Sequence, residues 1–172
     1  RQTRLTHNDT KLAIKVGTNL EIRRHGARLV MHETAGQKKD RTQFETLIWK
    51  GAGHYSLPAW GGELVISEVG KDEAGIAESF FIGRELQARP RQGGEELKLY
   101  KNRPRKHLKD LYQQAGIAEF DRSKLPLLWS GEDLIYAAGL GMDVRYEATQ
   151  PEEKRYRIEW QPDATLLSLM QA

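Results

Sequence analysis

Nine cations are the side chains here with chemistry to offer: Arg89, Arg91, Lys101, Arg103, Arg105, Lys106, Lys109, Arg122 and Lys124. Lys and Arg at this density suit phosphate oxygens, which they meet as charge-assisted hydrogen-bond donors. From Arg84 to Lys124 the chain holds eleven Lys or Arg and six Asp or Glu, a net of +5. The whole chain carries only +3, so the remainder is −2. A basic stretch in a nearly neutral protein marks where an anionic partner binds. The plain alternative is that these charges keep a surface helix soluble, the usual reading of a lone basic face.

The elements that must position the cations follow from local pattern. Leu97 to Tyr100 is strand-like and leads into a basic turn, Lys101 to Arg103. Pro104 suits a first helical position, with Asn102 or Arg103 as the cap. The spacing of Leu108, Leu111, Tyr112 and Ala115 gives one buried helical stripe. On a helix running from Arg105 to Ala115, Arg105, Lys106 and Lys109 share an adjoining flank beside a free N-terminus. Gly116 suits the left-handed position after the last turn. Arg89-Pro90-Arg91-Gln92-Gly93-Gly94 is a basic turn: an ordinary hairpin loop, or a phosphate contact reached by glycine backbone.

The order of these features resembles the C-terminal domain of tRNA(Ile)-lysidine synthetase. The resemblance rests on Arg91, Gly93, Gly94 and Glu95, then Leu108, Lys109 and Leu111, Gly116 and Ile117, Arg122, Pro126-Leu127-Leu128, and Ala137-Ala138-Gly139. The chain departs from the family by carrying Ala118-Glu119-Phe120 where a Pro and then a Trp are usual. A weaker upstream likeness, Glu21-Ile22-Arg23-Arg24 with Leu29-Val30, resembles a strand pair between the family's domains. The resemblance implies a fragment that recognises tRNA for a ligase: isoleucine tRNA with a CAU anticodon, gripped at its acceptor region. In the parent enzyme ATP, with magnesium, activates the wobble cytidine and lysine displaces AMP. That reaction belongs to a catalytic N-terminal domain acting in cis.

None of that catalytic apparatus is written in this sequence. It holds no SGGxDS-type loop, no GxxxxGK loop and no GxSxG elbow. No histidine spacing suits a metal, and the Asp72-Glu73 and Glu152-Glu153 pairs read as solvated surface. The expectation is therefore no catalytic residue, metal or cofactor in this fragment. A different class of function stays open, a protein-interaction module whose basic face docks on an acidic partner or a neighbouring domain.

Composition sets the remaining bounds. There are 172 residues, 38% hydrophobic and 30% charged, which suits a folded chain. The absence of cysteine excludes disulfides and agrees with a cytoplasmic setting. No apolar run approaches the roughly 20 residues of a membrane span, so no membrane partner is expected. A chain beginning at Arg1 reads as a piece of a longer protein.

Alternation predicts a strand at Leu12–Val16, a hairpin over Leu20–Glu33, a strand at Thr46–Trp49 and a second hairpin through Tyr55 and Ile66. Phe80–Ile82 reads as a strand, Gly141–Tyr146 as its sheet's continuation, and Tyr156–Trp160 as a last edge strand. Thr34–Gln43 reads as a polar linker and Thr165–Ala172 as a short helix or tail. Trp49, Tyr55 and Trp60 suit a small β core better than a base-stacking platform. The fold class is α+β: a small mixed β-sheet domain packed on a short basic helix, preceded by a hairpin-containing segment. Residues 1–77 read as the end of a middle domain with connecting strands, 78–150 as the tRNA-binding domain, and 151–172 as a terminal strand and tail.

Overall fold

The computed structural model describes residues 13–15, 20–25, 28–33 and 44–163. The expected linker at 34–43 and the expected tail at 165–172 lie outside these residues. Contacts divide the chain into two units, Arg1–Arg41 and Thr42–Ala172. In the first, β1 (Ala13–Lys15), β2 (Leu20–His25) and β3 (Arg28–Glu33) form an antiparallel sheet in that order. The β2–β3 pair is the hairpin expected from alternation, with Ile22 opposite Met31.

The second unit is built around two sheets. The strands follow as β4 (Glu45–Leu47), β5 (Gly53–Leu57), β6 (Gly62–Val69), β7 (Ile76–Ala77), β8 (Leu86–Arg89), β9 (Glu96–Leu97) and β10 (Lys106–His107). Then come α1 (Leu108–Gln114), α2 (Glu119–Arg122), β11 (Leu127–Ser130), β12 (Asp133–Ala137), β13 (Gly141–Met142) and β14 (Arg155–Pro162). One sheet has the order β13-β12-β11-β8-β4, and the other β5-β6-β14-β7. The class is α+β as expected, and every strand pair among the described residues is antiparallel.

The main core lies between these sheets. Leu86, Ala88, Leu128, Ile135 and Tyr136 meet Leu57, Leu64, Ile66, Ile76, Tyr156 and Ile158 there. Strand periodicity explains the selection, since Gly62, Leu64 and Ile66 are buried while Glu63 and Val65 between them are only partly so. Gly62 has a steric reason too: a Cβ would meet the Trp160 ring at 2.7 Å. In β12 the alternation breaks at a bulge. Leu128 faces Tyr136 and Trp129 faces Leu134, so Ile135 is the extra residue and joins Tyr136 in the inter-sheet core.

Three expectations need correction. Phe80–Ile82 is not a strand. Glu78–Phe80 is a single 3₁₀ turn, closed by the Phe81 N–H on Glu78 O at 2.9 Å. The Tyr156–Trp160 segment is not at an edge, because β14 lies between β6 and β7 and pairs with β6 over its whole length. After β13 the sheet gives way to a 3₁₀ turn at Val144–Tyr146. The aromatics do fill the core: Trp60 is buried, and Trp49 stacks on Phe81 with centroids 5.6 Å apart. No helix among the described residues is long and apolar enough to cross a membrane.

Candidate nucleic-acid interface

The outer face of the five-stranded sheet carries α1. Leu108, Leu111 and Tyr112 are buried against Leu97, Leu127, Leu134 and Ala137 in a second cluster. The Tyr112 hydroxyl donates to Ala138 O at 3.3 Å. Burial holds that phenol well above its ordinary range. Ala115, expected in the same stripe, is exposed at the C-cap. The helix ends in a Schellman arrangement: Gly116 has φ 72°, its N–H donates to Gln113 O, and the Ile117 N–H reaches Tyr112 O at 3.0 Å.

The helix starts later than Pro104 suggests. Lys106 and His107 pair with Leu97 and Glu96 as a short antiparallel ladder, and the Leu108 N–H donates to Glu95 O at 2.9 Å. Pairing with β9, on the other side of the Tyr100–Arg103 turn, thus claims the residues that a cap signal assigned to the first helical turn. Of the expected flank, only Lys109 is on the helix; Lys106 lies in β10 and Arg105 precedes it. The seven-residue helix, with its first amide already bonded, supplies no separate anion site at its N-terminus.

The nine cations sort by what they touch. Three have carboxylate partners: Lys101 Nζ lies 3.1 Å from Glu147, Arg105 Nε 3.5 Å from Glu96, and Lys124 Nζ 3.8 Å from Asp121. Arg89 stands on the outer sheet face, its guanidinium 5.0 Å from the Trp129 ring and donating to Gln87 Oε1 and Gly131 O. Arg122 donates to Ile117 O at 3.0 Å and lies 5.9 Å from the Tyr112 ring. The Arg91 charge acts against burial at the Tyr112 phenol, drawing its pKa down. The Arg103 guanidinium lies 5.0 Å from the Tyr100 ring. Lys106 lines a groove of about 420 Å³ with Asp110, Gln113 and Gln114, and Lys109 is exposed one residue into α1. Arg89, Arg91, Arg103, Lys106, Lys109 and Arg122 have no ion pair among the described residues.

The structure therefore gathers Arg89, Arg91, Lys109 and Arg122 around α1 and the sheet face beneath it. Lys101, Arg103 and Arg105 belong instead to the loop before β10. In the glycine turn, the backbone donors expected for phosphate are already used. The Gln92 and Gly93 N–H groups both donate to the Glu95 carboxylate, at 2.6 and 2.9 Å. Glycine is needed there for its conformation, with Gly93 at φ 106° and Gly94 at φ 84°.

Sequence reasoning missed Asp143, which is fully buried. It caps the Val144–Tyr146 turn by accepting the Arg145 N–H, accepts the Lys98 N–H at 3.0 Å, and pairs with the Arg145 guanidinium at 2.8 Å. Asp two residues before a turn amide is a recognisable cap signal. Its reach to Lys98, 45 residues away, has no local signature.

Residues 86–160 match the family model described as the TilS substrate C-terminal domain. The tRNA(Ile)-lysidine synthase of Burkholderia mallei is 32% identical over 119 residues, 68% of this chain and 24% of that protein. That of Ralstonia nicotianae is 41% identical over 87 residues, 51% of this chain and 18% of that protein. A solved structure described as "Crystal structure of TILS C-terminal domain" aligns with TM-score 0.51 and 16% identity, covering 69% of this chain and 97% of its own. The last likeness is one of fold. The chain spans about a quarter of the length of the first of these curated relatives. These matches bear out the resemblance to the C-terminal region of tRNA(Ile)-lysidine synthetase.

Proposed function

We propose that this chain, similar over residues 86–160 to the substrate C-terminal domain of tRNA(Ile)-lysidine synthases, recognises tRNA on behalf of such a ligase. Its partner is then the isoleucine tRNA with the CAU anticodon, held at the acceptor region. Chemistry on the wobble cytidine falls to a catalytic domain in cis that uses ATP, magnesium and lysine in the cytoplasm. The observation that carries this reading is the set of unpaired cations around α1, inside the segment matched by the family model.

The physics fits a duplex. An A-form helix offers phosphates and ribose hydroxyls more readily than base edges. Lys109, Arg91, Arg89 and Arg122 are spread over a helix and a sheet face rather than converging in one pocket. Such a spread contacts successive phosphates, and releasing their counterions supplies affinity with little sequence preference. Discrimination among tRNAs then comes from shape and from unpaired ends.

The test is binding of the chain to isoleucine tRNA and to an acidic peptide, at several salt concentrations. Salt-dependent tRNA binding without peptide binding is expected. Peptide binding without tRNA binding would favour the protein-interaction alternative. Mixed with ATP, lysine and tRNA, the chain should release no AMP above the blank, because it carries no nucleotide loop.

A further inference from the structure

We propose that the turn from Tyr100 to Arg103 is a stacking site for an unpaired nucleobase. The inference rests on the RNA-binding reading above and adds the ligand and the residue that takes it. Four large hydrophobic side chains among the described residues are exposed: Phe44, Ile48, Ile82 and Tyr100, the last at 55%. Tyr100 differs from the others in its setting. Residues 98–106 hold five cations, Lys98, Lys101, Arg103, Arg105 and Lys106, and no acid. An aromatic ring left in solvent amid cations has the composition of a single-strand platform, where the base stacks and the backbone meets positive charge.

The turn is built to hold the ring outward. The Lys98 N–H donates to the buried Asp143 carboxylate, and the Val144 N–H donates to Lys98 O at 2.9 Å. Leu99 packs against the cluster beneath α1. Tyr100 follows at once, and the Arg103 N–H closes the turn on Tyr100 O at 3.2 Å. The entry to the turn is thus fixed before any ligand arrives, which lowers the ordering cost of binding. The Arg103 guanidinium lies 5.0 Å from the ring centroid, yet more than half of the Tyr100 surface stays in solvent. A base can stack on the ring or on the guanidinium plane, and Arg103 has no carboxylate partner among the described residues to hold it back.

A base inside a duplex has both faces covered, so the ligand is a nucleotide in a single-stranded extension or loop. The experiment uses the chain as it stands and two RNA hairpins with the same stem, one blunt and one with a short unpaired 3′ extension. Wild type should bind the extended hairpin more tightly. Tyr100→Ala should remove about tenfold of that advantage, with blunt-stem binding and salt slope unchanged. Tyr100→Phe and Tyr100→Trp should keep it. If Tyr100→Ala keeps the full preference, or weakens both hairpins equally, the stacking site is wrong while RNA binding stands. If wild type binds neither hairpin nor tRNA, the RNA-binding reading fails and the site fails with it. A Tyr100→Ala melting curve matching wild type guards against a folding artefact.

Discussion

The Asp143 carboxylate, fully buried, accepts the Lys98 backbone N–H at 3.0 Å and so ties the loop before β10 to the chain after β13. The same carboxylate holds the Arg145 amide and guanidinium. Removing it leaves two backbone donors without partners, at about 1–3 kcal/mol for each that stays desolvated. Asp143→Ala should therefore lower the denaturation midpoint strongly. Asp143→Asn keeps an acceptor oxygen and should fall between. Equal midpoints for Asp143→Ala and wild type, in urea unfolding, would show that the bracket does not matter.

Leu127 and Leu128 are adjacent in β11 and serve different cores. Leu127 lies under α1, and Leu128 lies between the two sheets. Both are essentially without solvent exposure. Each changed to Ala should cost about 2–5 kcal/mol. A melting shift within error for both would show that this segment is not core.

Much of this scaffold was legible in the residues, for reasons that also mark where legibility stops. Alternation found the β2–β3 and β5–β6 hairpins because each strand pairs with a neighbour close in sequence, and β5 and β6 bury alternate residues. The Leu108, Leu111, Tyr112 stripe and the Gly116 stop were legible because helix period and a left-handed φ are local properties. The helix start was not, since the pairing of Lys106–His107 with Leu97–Glu96 outweighs the signal of Pro104. The interior place of β14 was not either, because its partner β6 lies some ninety residues away. The cations were legible as types, but the carboxylates opposite Lys101 and Arg105 were set by tertiary approach.

Alkaline pH should unfold the domain through its buried phenols. Burial pushes the Tyr136 hydroxyl from 10.0 up to about 12, opposed in part by the Trp160 N–H it accepts at 2.8 Å. A raised phenol binds its proton more tightly when folded. The associated stability is complete below pH 10 and is lost as pH rises from about 10 to about 12. Melting temperature should fall across that window, and Tyr136→Phe should flatten the fall while starting lower for want of the hydrogen bond. A melting temperature level through that window would contradict the buried, un-ionised phenol.

The central claim is that unpaired cations around α1 grip tRNA phosphates. The direct measurement is a titration of isoleucine tRNA and an unrelated tRNA against wild type, Arg91→Ala and Lys109→Ala at several salt concentrations. Glu152→Lys, outside the basic stretch, serves as control. Each cation variant should weaken both tRNAs alike and reduce the salt slope by about 0.7–0.9, one phosphate contact each. The control should bind as wild type does. Wild-type affinity and an unchanged slope in both cation variants would contradict the account, leaving the α1 face as solvated surface.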